Sequence, residues 1–152
     1  KFMRKYYLFI IKKEYYNLYR NNSESLYKTL ENLFFMKNNN ISYGISIYNQ
    51  ICQTFNVDVL DNYFHTRKNF YIKRNKRKIL VDSYLENERY IIELMYPCAI
   101  IYCNKNLPKV LKILNYYDPR IFICDFDNKD FFWNNNSHCH SYNYNFATYN
   151  LV

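Results

Sequence analysis

Glycine is nearly absent: Gly44 is the single one, and only three prolines occur in 152 residues. A chain with one glycine has no Gly-rich phosphate loop, which excludes the nucleotide enzymes built on such a loop. Turns must rest instead on asparagine, which tolerates left-handed backbone and hydrogen-bonds its own chain. Long apolar runs are also missing, since none approaches the roughly 18 residues of a membrane span. The first apolar run is cut by Lys12, Lys13 and Glu14, too early for the core of a secretory signal. No Cys-x-x-Cys pair exists. The five cysteines, Cys52, Cys98, Cys103, Cys124 and Cys139, are odd in number and widely spread, and three lie inside apolar runs. That pattern predicts buried, reduced thiols in a cytoplasmic protein.

What is present points to a packed core. Apolar residues make up 49% of the chain and aromatics 21%, which excludes disorder throughout. The length suits one domain that needs no disulfide staples. Lys, Asn, Tyr, Ile and Phe dominate, and all have codons rich in A and T, so the tyrosine excess argues little by itself. The formal charge of +8 permits either nucleic acid or an acidic protein surface as partner.

Residues 6–11 are apolar at both alternating sets of positions: Tyr6, Leu8, Ile10 and Tyr7, Phe9, Ile11. A strand of this kind belongs in the middle of a sheet covered on both faces. Residues 99–103 and 121–126 have the same character. Asn22 or Ser23 can cap a helix with the stripe Leu26, Leu30, Leu33 and Phe34. Ser42 can open a second, bearing Ile45, Tyr48, Cys52 and Phe55 on one face. Asn106 precedes a third, with Val110, Leu111, Leu114 and Tyr117, which Asp118-Pro119 stops. Residues 70–74, 79–85 and 90–95 alternate as a meander with turns at 75–78 and 87–88. Residues 56–69 fit a short helix or an irregular connection equally well. Residues 14–20 are read as a connection before the first helix. Residues 134–152, rich in Asn, Ser, His and Tyr, read as a weakly ordered tail. The expectation is an α/β (α+β) fold: one domain over 1–133, with a mixed β-sheet of about five strands and helices packed on both faces.

Candidate chemistry is sparse. "KRNKRK" supplies Lys73, Arg74, Lys76, Arg77 and Lys78, which could grip phosphates; the alternative is a solvated hairpin turn that keeps a sheet edge soluble. Phe70 or Tyr71 would have to stack on bases for the first reading. "CDFDNKD" places Asp125 and Asp127 like the nucleophile strand of aspartate-dependent phosphatases, but Asn128-Lys129 breaks that pattern and too little chain follows it. The same stretch fails the calcium-loop pattern, having neither the glycine nor the closing glutamate. "HCH" at 138–140 offers zinc-type ligands, yet alternate residues of a strand point opposite ways and only His65 remains as another histidine. These residues therefore call for no catalysis, metal or cofactor. Glu14-Tyr15-Tyr16-Asn17-Leu18-Tyr19-Arg20 is different, because aromatics mixed with Asn and Arg suit a protein–protein hot spot. The alternative is that they fold back as core or rim.

Two stretches resemble a known family. "RKYYLFIIKKEYYNLYRNNSESLYKTLENL" shares Arg4, Tyr6, Tyr7, Ile11, Lys12, Glu14, an aromatic at 15, Asn17 and Tyr19 with the start of the sporulation inhibitor of replication (SirA) family. "KVLKILNYYDPRIFICDFDNKDFFW" is similar to its end, with an amphipathic helix, a proline before a strand, then Asp125, Phe126, Lys129 and Trp133. Residues 38–90 match in outline only. The resemblance implies a non-enzymatic α/β protein that binds the N-terminal domain of the replication initiator DnaA and blocks new rounds of initiation during sporulation. Read from the residues themselves, the expectation is no cofactor and no membrane, with the initiator domain favoured over direct contact with nucleic acid as partner. Carried over by motif, the partner-binding residues are Tyr15, Asn17 and Tyr19; Tyr15 stands where the family has Phe. The long His-containing tail and the basic turn at 73–78 have no counterpart in the family. The alternative function is a nucleic-acid-binding module using that turn.

Overall fold

The computed structural model describes residues 4–36, 38–67, 69–85, 87–106 and 108–135. The central strand is β1, Arg4–Ile11, whose residues from Tyr6 onward are all buried. Two helices follow it, α1 at Lys13–Tyr19 and α2 at Ser23–Phe34. A single 3-10 turn at Asn38–Asn40 leads into α3, Ile41–Ile51, which runs directly into the two-residue strand β2, Cys52–Gln53. Helix α4 spans Val57–His65. The meander β3, Phe70–Asn75, β4, Lys78–Ser83, and β5, Glu88–Leu94, turns into β6, Ala99–Cys103. Helix α5, Val110–Tyr117, then crosses to β7, Ile121–Asp125, and the hairpin partner β8, Asp130–Trp133, completes the sheet.

The sheet is larger and simpler than a mixed sheet of about five strands. Among the described residues it has eight strands in the order β3-β4-β5-β6-β1-β7-β8, with β2 also on β1, and every pairing is antiparallel. Short turns enforce this: Asn75 pairs with Lys78 across two residues, and Asp125 with Asp130 across four. Strands β6 and β7 do run in the same direction, joined through α5, but β1 lies between them. A strand that is apolar on both faces thus records two covered faces and says nothing of strand direction.

Those two faces are both filled. Tyr6, Leu8 and Ile10 join a cluster with Leu60 and Phe64 of α4 and Val110, Leu111 and Leu114 of α5. Tyr7, Phe9 and Ile11 point the opposite way, into a second cluster with Leu26, Tyr27 and Leu30 of α2, Ile51, Phe122, Phe126 and Trp133. Helices therefore pack on both faces, as expected. At the far end of β1, where β6 has stopped at the Leu8–Ala99 pair, β2 takes over through Ile10–Gln53 and Ile11–Cys52.

Several boundaries differ from the expected ones. The second helix ends at Ile51, because Cys52 is needed as a strand residue beside Ile11; Phe55 is buried but lies outside any helix. Residues 56–69 hold α4, whose cap is Asn56: its Oδ1 accepts from the amides of Asp58 (3.0 Å) and Val59 (3.1 Å). Asn22 stands at the cap position of α2 but makes no side-chain cap bond. Residues 14–20 are not a connection, since α1 occupies most of them. Asn134 is buried, donating from its amide to the Ile121 carbonyl (2.8 Å) and from Nδ2 to the Leu111 carbonyl (2.7 Å). The rest of the expected tail, with His138, Cys139 and His140, lies outside the described residues.

Candidate functional site

Helix α1 begins two residues after the buried end of β1, which sets its position. The Lys12 amide donates to the Ile51 carbonyl at 2.8 Å, and the Lys12 ammonium reaches the Asn49 carbonyl, which ties the start of α1 to the end of α3. Glu14 lies in the first turn, where the helix dipole favours an anion. At 3.6 residues per turn, Tyr15, Tyr16 and Tyr19 share one side. That side rests on the second core cluster. The Tyr16 ring meets Trp133 edge to face at 4.9 Å, and Trp133 meets Phe122 in the same way at 4.8 Å.

The tyrosines are therefore half-buried rim residues, each with part of its ring open to solvent. They fold back onto the core as rim residues, the second of the two readings of this cluster. Asn17 is exposed between them, and Leu18 beside it is 66% exposed with no side-chain partner in either cluster. Sequence reasoning missed Leu18. The signal was its place off the Tyr15–Tyr16–Tyr19 stripe, legible only once the segment is taken as a helix. Asn17 and Leu18 thus lie on the side of α1 away from the tyrosine stripe, an amide next to an apolar group, both open to solvent.

The basic segment is brought together on a hairpin at the sheet edge, but much of its charge is engaged. Arg74 donates to Asp58 (2.7 Å) and lies 3.7 Å from Asp61, both on α4; the Asp58 hydrogen bond raises its pKa further. Arg77 Nε donates to the Leu94 carbonyl at 2.9 Å, and Lys78 lies 3.8 Å from Glu93. Among the described residues, Lys73 and Lys76 have no carboxylate partner. Tyr71, 49% exposed, lies two residues before Lys73 and so shares its face of the edge strand. Phe70 packs inward on the first core cluster and cannot serve as a base-stacking ring.

Asp125 is a structural acid. It is buried, accepts from the Asn128 amide (3.1 Å) and Nδ2 (2.8 Å), and pairs with Arg4, whose other guanidinium nitrogen donates to Asn106 at 2.8 Å. Both carboxylate oxygens are thus spent on closing the β7–β8 turn and holding β1, which removes Asp125 from the role of a phosphate-attacking nucleophile. Among the described residues no cluster of three metal-type ligands exists, and no helix is long and apolar enough to cross a membrane. Cys52, Cys98, Cys103 and Cys124 are buried free thiols. Burial pushes Cys52, Cys98 and Cys103 up to about 12 and Cys124 well above its usual value, so they are poor nucleophiles.

Compared with models of known protein families, the chain finds no match, and compared with curated proteins it finds none either.

Proposed function

We propose that this chain is a non-enzymatic regulatory protein that docks through α1 onto the N-terminal domain of the replication initiator DnaA and inhibits initiation of chromosome replication during sporulation. The reading rests on the resemblance at residues 4–33 and 109–133. The observation that carries it is α1 itself: three half-exposed tyrosines held on the core on one side, with Asn17 and Leu18 open to solvent on the other. Rings already seated on a rigid core lose little freedom on binding, which is what hot spots need. Masking the initiator's surface takes an interface of about 1,200 Å² or less, enough for reversible regulation. The +8 charge would speed encounter with an acidic partner. Such a partner would place the chain in the cytoplasm.

The test is titration calorimetry of the full chain against the initiator's N-terminal domain. Tyr15 and Tyr19 also support the fold, so the diagnostic variants are Asn17→Arg and Leu18→Asp, both on exposed positions. We expect each to weaken binding at least about tenfold, or ~1.4 kcal/mol, without changing the melting temperature. Unchanged affinity in both would remove the site; no binding by the unaltered chain would remove the partner.

One observation favours the second reading, a nucleic-acid-binding hairpin: Tyr71 stands beside Lys73 on an open edge. It predicts single-strand binding that falls steeply with salt and is lost in Lys73→Glu/Lys76→Glu. Absence of binding at low salt dismisses it.

A further inference from the structure

Between the end of α4 and the start of α5, over the first residues of β3, lies a cavity of about 520 Å³. That size suits a small-molecule site. Phe70, Val110 and Ile113 give it apolar walls, and Arg67, Lys109 and Lys112 bring three cations to it. Arg67 follows the cap of α4, and its guanidinium is held in place. It lies over the Tyr63 ring at 4.7 Å, and Nη2 donates to the Tyr63 hydroxyl at 2.6 Å. Tyr63 in turn donates to the Ile113 carbonyl at 2.7 Å, which ties the stacked pair to α5.

What this guanidinium lacks is an anion. Among the described residues three arginines are held away from open solvent: Arg4, Arg67 and Arg120. Arg4 meets Asp125, and Arg120 lies 3.7 Å from Asp118. Arg67 meets no carboxylate, and its Nε is buried with no hydrogen-bond partner. A partly desolvated cation is ordinarily paired, because its charge and its donors have given up water. Glu88, buried beside Tyr90, does not serve it: that carboxylate takes the Tyr90 hydroxyl and the Lys109 amide, the latter at 3.0 Å. Lys112 is exposed on the first turn of α5 and, among the described residues, also has no carboxylate partner. We propose that this cavity binds a small organic anion, with a carboxylate or phosphate head on Arg67 and Lys112 and an apolar body against Phe70, Val110 and Ile113. The planar guanidinium suits either head, and Lys112 adds a point charge on a flexible stem. An uncharged apolar ligand leaves the guanidinium unpaired, and a bare inorganic anion leaves the apolar walls uncovered. The inference is independent of the role proposed for α1.

Titration calorimetry of the full chain tests it, with naphthalene-2-carboxylate and 2-naphthyl phosphate as ligands and 2-naphthalenemethanol and inorganic phosphate as controls. Both naphthyl anions should bind with a submillimolar Kd, and the tighter of them identifies the head. The alcohol and inorganic phosphate should bind at least about tenfold more weakly, since each offers one half of the ligand. Added salt should weaken the anions and leave the alcohol unchanged. Arg67→Met keeps an unbranched stem over Tyr63 and removes the guanidinium; Lys112→Glu reverses a charge at an exposed position. Each should weaken both anions at least about tenfold, whereas Lys76→Glu, beyond the far end of β3, should leave them unchanged. Circular dichroism melts check folding, and Lys112→Glu carries the test if Arg67→Met unfolds. No binding of either anion at millimolar concentration overturns the inference. So does a control that binds as tightly as the anions, or anion binding untouched by Lys112→Glu or by a folded Arg67→Met.

Discussion

Arg4 and Asp125 lie at opposite ends of the sequence and are both buried at one end of the sheet. A buried pair is costly to break because the survivor keeps its charge without a partner. Asp125→Ala should therefore lower unfolding stability by ~3–5 kcal/mol in urea denaturation, while Arg4→Met/Asp125→Leu should recover the part due to the unpaired cation and not the part due to the lost Asn128 bonds. Asparagine and lysine do the work of glycine in the turns: Lys76, Asn87 and Lys129 have φ of 58°, 51° and 54°. Lys129 is retained there for a reason, as its ammonium bonds Glu31 on α2 at 3.1 Å and holds that carboxyl below its usual pKa. Lys76 makes no such side-chain bond. Lys76→Gly should raise stability by up to about 1 kcal/mol, because relief of left-handed strain outweighs the added freedom of the unfolded chain. A melt showing destabilisation would mean that the lysine stem packs usefully on the turn.

At the scale of elements, α1 has two sides with different duties under the proposed function. Its inner side packs on the second core cluster and its outer side is open to solvent. Tyr16→Ala should cost ~2 kcal/mol through loss of the Trp133 edge-to-face contact and the area beneath it. Leu18→Ala should change stability by no more than about 0.5 kcal/mol, yet weaken the partner complex. Equal effects of the two on stability would show that Leu18 belongs to the fold. Helix α4 provides a control remote from α1: Asn56→Ala removes both cap bonds and should cost about 1 kcal/mol without touching partner binding.

For the molecule as a whole, the buried thiols set an alkaline limit. A thiol raised from 9.0 to about 12 stays protonated in the fold while the unfolded chain begins to ionise near 9. Its contribution is complete below that pH and is lost as pH climbs towards 12, at up to ~1.4 kcal/mol per pH unit for each thiol. The urea midpoint should thus be flat near pH 7–8 and fall between 9 and 11. Replacing Cys52 and Cys98 by Val or Ala should soften that fall; an unchanged slope would assign it to the buried tyrosines, such as Tyr90, whose hydroxyl is also raised by burial.

Periodicity alone settled a good part of this protein. Alternation at 6–11 determined a strand covered on both faces, and the stripes at 26–34 and 110–117 determined two of the helices that cover it, since side-chain direction repeats with the backbone's own geometry. Helix α1 escaped because seven residues with no side-chain cap barely establish a period. Tertiary structure decided the rest: the antiparallel order of eight strands, the late hairpin at 130–133, the partial burial of Tyr15 and Tyr19, and the engagement of Arg74 by an aspartate sixteen residues away. It also decided that α2, α3 and the β5–β6 turn meet around one apolar groove. The physical reason is common to all of these. A local pattern records that a side chain is covered or open, while the identity of its neighbour depends on segments brought together only when the sheet closes around β1.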